Sequence, residues 1–112
     1  MRTQTKLSLS PARRKLLELL QWMNYGCLEN LLIRCGEPSF DPPPLIVRDH
    51  KFQGENGPRP ERGLVDYQLK PQVLELFDHF DQQQRGTIQV LEVKHGLPFR
   101  MVLREPFDFG SW

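Results

Sequence analysis

The same short sentence occurs twice in this chain. Residues 26–38 read GCLENLLIRCGEP and residues 86–98 read GTIQVLEVKHGLP. With no gap, Gly26 falls on Gly86, Leu28 on Ile88, Leu31 on Leu91 and Ile33 on Val93; Arg34 falls on Lys94, Gly36 on Gly96 and Pro38 on Pro98. Each copy reads as an apolar-alternating strand closed by a turn in which glycine supplies the positive φ. Upstream, LLELL at 16–20 aligns with VLELF at 73–77, an alignment that gives the second copy three extra residues between helix and strand. A shared helix stripe, stop glycine, strand, turn glycine and post-turn proline, in one order, marks an internal duplication of an α-β-β unit.

Duplication restricts the fold because one unit cannot stand alone. A helix on an isolated hairpin encloses little apolar area, and a two-stranded hairpin is marginal in water. Two units can form one four-stranded antiparallel sheet with two helices packed on one face, an α+β fold with a pseudo-twofold axis. The 112 residues then make a single domain. The first repeat covers 10–52, a linker 53–66, the second repeat 67–105 and a tail 106–112.

Local signals place the elements. Ser10 can cap a helix and Pro11 is tolerated at its first position. Leu16, Leu19, Leu20 and Met23 then form a stripe at i, i+3, i+4 and i+7, with Gly26 as the stop just beyond. A strand spans 28–34 and turns at Cys35 and Gly36. Pro42, Pro43 and Pro44 cannot donate to a ladder, so the return strand is placed at 45–52, on an edge. The stretch QGENGPRPERG at 53–63 has no reason to fold by itself. A second helix over 71–83 carries the stripe Val73, Leu76, Phe77 and Phe80. Strands at 87–94 and 99–104 follow, joined by a turn at His95 and Gly96.

Helix, then YG, an apolar-alternating strand, a glycine turn and a return strand is a pattern that resembles the small uncharacterised bacterial proteins called YezD-like. The first copy carries it in Asn24, Tyr25, Gly26, Leu28, Leu31, Ile33, Gly36 and Pro38; the second keeps Gly86, Ile88, Leu91, Val93 and Gly96. The chain departs from that pattern at the turns, with Cys-Gly and His-Gly where Asp-Gly is expected, and in the prolines after Phe40. The resemblance implies a fold and no established activity, so it brings no functional residues.

Bulk properties narrow the function classes. A net charge of +1 is unlike a strongly basic nucleic-acid binder, although it permits a local basic patch. No run of about 18 apolar residues is present for a membrane-spanning helix, and the N-terminus has no apolar stretch of secretory length. A cytoplasmic protein with no membrane partner is expected. Cys27 and Cys35 would lie about 27 Å apart along a strand, too far to bridge, so both are expected reduced.

The chemistry-bearing residues form no catalytic pattern. Cys27, Cys35, His50, His79 and His95 contain no close ligand pair, so no metal and no cofactor are expected. Cys35 and His95 occupy equivalent turn tips, which could meet across the pseudo-axis or lie at opposite ends of the sheet. Glu75, Asp78 and Asp81 with His79 read as a solvated helix face. No phosphate loop or nucleophile elbow is present, and a non-enzyme is expected.

Two binding readings remain. Arg2, Lys6, Arg13, Arg14 and Lys15 crowd the first seventeen residues without an acid. Three of them sit at the start of a helix, where the dipole disfavours each cation by about 0.3–1 kcal/mol. With Arg34, Arg48, Lys94 and Arg100 they could track phosphates. The alternative to that use is a solvated helix face and edge-protecting strand charges. Leu32, Val90 and Phe99 need not all fit under the helices. Phe107, Phe109 and Trp112 offer aromatic anchors that either fold back or contact a second subunit. The preferred expectation is a non-catalytic binding or accessory protein acting through its sheet face and edges, with a protein partner or self-association. Nucleic-acid binding is the alternative.

Overall fold

Ser10 and Pro11 open the first helix as their chemistry requires. The computed structural model describes residues 4–105, 107 and 109–111. Helix α1 runs Pro11–Met23, and the Ser10 hydroxyl oxygen accepts the Arg13 N–H at 3.2 Å. Its buried residues are Leu16, Leu17, Leu20, Gln21 and Met23. Leu17 replaces Leu19 in the expected stripe, and Leu19 is half-buried. The reason is that α1 contacts both the sheet and the linker side, so its covered face is wider than one stripe. Helix α2 runs Pro71–Gln83 and buries Val73, Leu76, Phe77 and Phe80, the expected set.

The helices stop at Asn24 (φ 64°, ψ −55°) and Gln84 (φ 58°, ψ −37°), where positive φ with negative ψ breaks the helical path. Gly26 is therefore not the stop expected from its position. It is the first residue of β1, and a Cβ there would lie 2.1 Å from the Val47 carbonyl oxygen. Glycine is required by close strand approach, while Asn24 ends the helix.

The sheet is antiparallel throughout: β1 (Gly26–Arg34), β2 (Glu37–Ser39), β3 (Leu45–Arg48), β4 (Arg85–Lys94) and β5 (Leu97–Arg104). The order is β2-β1-β4-β5, and β3 also pairs with β1. Five strands stand where four were expected. The first return strand is split into β2 and β3 by residues 40–44, whose three prolines lack amide donors. Its second part also ends at Arg48, short of the expected 52.

The pairing also relocates the extra residues of the sequence alignment. Pro38 pairs with Ile33 as Pro98 pairs with Val93, and Ile46 pairs with Leu28 as Leu103 pairs with Ile88. Eight positions separate Pro38 from Ile46 and five separate Pro98 from Leu103, so the first return strand is the longer by three. The helix-to-strand connection of the second half carries no insertion. Pro11 and Pro71, Asn24 and Gln84, Cys35 and His95, and Gly36 and Gly96 all lie sixty positions apart. A stripe at i, i+3, i+4, i+7 still overlies itself in part after a three-residue shift, which is why the helices could be misaligned by that amount.

At the centre, Leu28 pairs with Leu91 and Leu31 with Ile88, while the ends of β1 pair Gly26 with Val93 and Arg34 with Arg85. The turns cross as well. The Gly36 N–H donates to the Gln84 carbonyl at 2.8 Å and the Gly96 N–H to the Asn24 carbonyl at 2.9 Å. Both helices share one core with Leu28, Leu31, Ile33, Ile88, Leu91 and Val93 on the inner sheet face. Leu28 and Leu31 both point inward because Asn30 (φ 61°) breaks the alternation between them.

The linker adds bonds to the rest of the chain to its own internal ones, among them Asn56 to Gly54 and the short helical turn Pro60–Gly63. The Arg59 N–H donates to the Gln21 carbonyl at 2.8 Å. The buried Lys6 Nζ donates to the carbonyls of Leu64 (2.7 Å) and Arg62 (3.2 Å) and lies 3.5 Å from Glu18. Among the described residues, no helix is long and apolar enough to cross a membrane.

Candidate functional site

Strand pairing sorts the outer face of the sheet into rows. Val47, Cys27, Glu92 and Arg100 lie side by side, and Leu45, Glu29, Val90 and Val102 form the next row. Ser39, Leu32, Thr87 and Arg104 form the third. Leu45 is 59% exposed and Val47 43%, while Leu32, Val90 and Val102 are half-buried. The face is thus apolar at intervals and carries both signs of charge; Arg100 Nη1 meets Glu92 Oε2 at 2.7 Å. Burial, together with the neighbouring Glu29 and Glu92, pushes the Cys27 thiol above its usual pKa. Both cysteines are free thiols.

The expected basic set does not share one face. Arg13 is turned inward: its Nη2 donates to Asp81 Oδ1 at 2.6 Å and to the Gly36 carbonyl at 2.8 Å, its Nε lies 3.6 Å from Glu37, and its guanidinium lies over Phe77. Asp81 is therefore an ion-pair partner that stays solvent-exposed on the helix face. Lys15 covers the Phe40 ring, Arg48 the Trp22 ring and Lys94 the Phe99 ring. Arg34 is exposed at the strand end beside Arg85. Arg14 and Lys15 do come together with Lys6 and Arg62 along a groove that also holds Glu18.

Phe99 sits in the bulge of β5 between the Val93–Pro98 and Glu92–Arg100 pairs and is 59% exposed. The Phe107 and Phe109 rings, both exposed, stack edge to face at 4.4 Å between centroids. Trp112 lies outside the described residues. Cys35 and His95 fall at opposite ends of the sheet, because β1 and β4 run antiparallel. His95 Nδ1 instead shares a hydrogen bond with the Tyr25 hydroxyl at 2.6 Å. Among the described residues no group of three or more His, Cys, Asp or Glu is arranged to hold a metal ion.

A polar cleft on the helix side was not anticipated. Its volume is about 240 Å3, and its polar wall is Gln21, Arg59, Glu61, Tyr67, Lys70 and His95. Gln21 is only 4% exposed. Its Nε2 donates to the Tyr67 hydroxyl, while its Oε1 has no partner. Burial holds the Tyr67 hydroxyl above its usual pKa, with the hydrogen bond from Gln21 acting in the opposite sense and Glu61 and Glu18 adding to the rise. No sequence signal could have found the cleft, since it needs the linker docked on α1. A glutamine on a buried helix face was the nearest hint. Comparison with protein-family models, curated proteins and solved structures gives no match to any of them.

Proposed function

We propose that the chain is a fused pair of α-β-β units, each resembling a YezD-like unit, working in the cytoplasm as a non-catalytic binding or accessory module through its outer sheet face and edges. Its occupant is a second copy of the chain. The constant spacing of sixty between helix starts, helix stops and turn residues supports the duplication. So does the reciprocal register, in which Leu28 meets Leu91 and Leu31 meets Ile88, as equivalent residues do across a twofold axis.

The exposed apolar outer face carries the functional reading. Leu45 and Val47 stand open beside Leu32, Val90 and Val102, and Glu29, Glu92, Arg100 and Arg104 put both charge signs on the same surface. A twofold-related copy can bury the apolar rows and set acids of one chain against bases of the other. Light scattering tests this: mass should double over a concentration series, and Val90→Lys with Val102→Lys should hold the chain at monomer mass with its circular dichroism unchanged. A monomer at every concentration for the parent chain would refute it.

One observation favours a second reading. Arg14, Lys15 and Arg62 line one groove in which the buried Lys6 already meets the acid Glu18, a local surplus of cations that suits a phosphate backbone. On that reading Arg14→Glu with Lys15→Glu shortens retention on heparin and the retention falls with added salt. Unchanged retention removes it.

A further inference from the structure

We propose that the cleft between α1, α2, the linker and the second hairpin turn binds a small zwitterion of amino-acid size, its amino group received by Gln21 and Glu61 and its carboxylate by Lys70. The proposal is independent of the outer face, which lies on the other side of the sheet.

Gln21 supplies the first reason. A buried acceptor left unpaired costs about 1–3 kcal/mol, and Gln21 Oε1 is such an atom on a side chain that lines the cleft. Glu61 Oε2 is also buried without a hydrogen bond, although it lies 3.5 Å from Arg59 Nε. Two acceptors on one cleft call for a ligand that brings N–H donors.

The other half of the molecule indicates what kind of donor fits. Sixty positions from Gln21 is Asp81, from Gly96 is Gly36, and from Val73 is Arg13. There the Arg13 guanidinium fills the space, donating to Asp81 and to the Gly36 carbonyl. In the cleft its counterpart is Val73, which is too short and has no donor. The chain itself thus places a cationic N–H group against Asp81 and Gly36, and at the equivalent position the cleft presents Gln21 and Gly96, with the linker's Arg59 turned to Glu61 beside them.

The remaining wall selects the rest of the ligand. Lys70 lines the cleft, is exposed, and makes no ion pair among the described residues, so its ammonium is available to a carboxylate. Leu17, Val73 and Leu97 give an apolar side on which a short side chain can rest. About 240 Å3 is the space of about eight waters at ~30 Å3 each, enough for one amino acid.

The test uses the full chain, isotope-labelled, with the Gln21 side-chain amide as the reporter. Probes are L-alanine, L-serine, L-valine and L-leucine, together with isobutylamine and isovalerate as single-charge counterparts of valine. At least one amino acid should shift the Gln21 amide saturably at or below about 10 mM, with each single-charge counterpart weaker by about tenfold or more. Lys70→Glu, a change at an exposed position, should weaken the amino acid by about tenfold while sparing isobutylamine. Glu61→Gln should weaken both, and Gln21→Leu, read at the backbone amide of Leu97 in the cleft wall, should abolish binding. No shift with any of the four amino acids overturns the proposal. So does equal binding of the amine or the acid alone, or binding indifferent to both Lys70→Glu and Glu61→Gln.

Discussion

Gly26 and Gly86 look alike in the sequence and do different work. Gly26 has φ 146°, and a Cβ would press to 2.1 Å against the backbone oxygen of Val47. At Gly86 the nearest atom to an added Cβ is the Arg104 oxygen at 3.4 Å, an ordinary contact. Gly26→Ala should therefore destabilise by about 2 kcal/mol or more, whereas Gly86→Ala should cost under about 1 kcal/mol, as read by urea denaturation. Equal costs would contradict the assignment. The one-letter code shows that glycine is present, but it cannot show whether a dihedral angle or a neighbouring strand demands it. The stop function passed unnoticed to Asn24 and Gln84. Asparagine there is readable in hindsight from its enrichment at positive φ, while glutamine is not. The turn pairs were legible: Cys35 with Gly36 and His95 with Gly96 all have positive φ, as a two-residue hairpin turn of this kind needs.

Among the elements, both helices and the second hairpin were legible because their apolar spacing and turn residues agree with each other. The first return strand was legible only as a problem posed by three prolines. Its solution depends on where β1 offers free edge groups on either side of the break. Since residues 40–44 interrupt a strand that β5 completes without interruption, deletion of residues 42–44 should join β2 to β3 in the register β5 already uses. Stability should stay within about 1 kcal/mol of the parent. Unfolding of the deletion variant would mean that the extra residues are needed.

The N-terminal segment is held by polar groups that no periodicity reveals. The Leu7 N–H donates to Asp66 Oδ1 at 3.0 Å. That bond, with others from the Thr5 side chain and the Tyr67 N–H, holds the Asp66 carboxyl below the usual aspartate value. A depressed carboxylate contributes in full above its unfolded pKa of about 3.9, and its contribution is lost as pH falls through the lower folded value. The Leu7 amide shift should thus titrate with a midpoint below about 3.9, and Asp66→Asn should remove that titration. A midpoint at or above the ordinary value would show that the contact is not formed.

For the whole molecule, an antiparallel sheet with two helices was legible in the sequence, and the pairing of its central strands was not. Pattern alone could show that each unit needs cover; it could not show that β1 and β4 would be the strands to meet. That choice follows from burial beneath the helices. The central pair carries Leu28, Leu31, Ile88 and Leu91, all fully buried, while the return strands keep half-exposed side chains and so form the edges. The crossed turns then fix the first hairpin tip on the end of α2 and the second on the end of α1, through Gly36 to Gln84 and Gly96 to Asn24. Basic residues predicted to act together were scattered for the same reason. Arg13 lies where α1, the first hairpin turn and α2 meet, and a sequence gives no sign of which side chains such a meeting point will enclose.

The reciprocal seam is the claim on which the rest depends, and cross-strand nuclear Overhauser contacts measure it directly in the full chain. Backbone contacts should link Leu28 with Leu91 and Leu31 with Ile88 in the same sample, with Gly26 reaching Val93 at one end and Arg34 reaching Arg85 at the other. Contacts placing β1 beside β5, or β4 against β1 in a register that satisfies one of those two pairs without the other, would contradict the seam and, with it, the proposed fusion of two units.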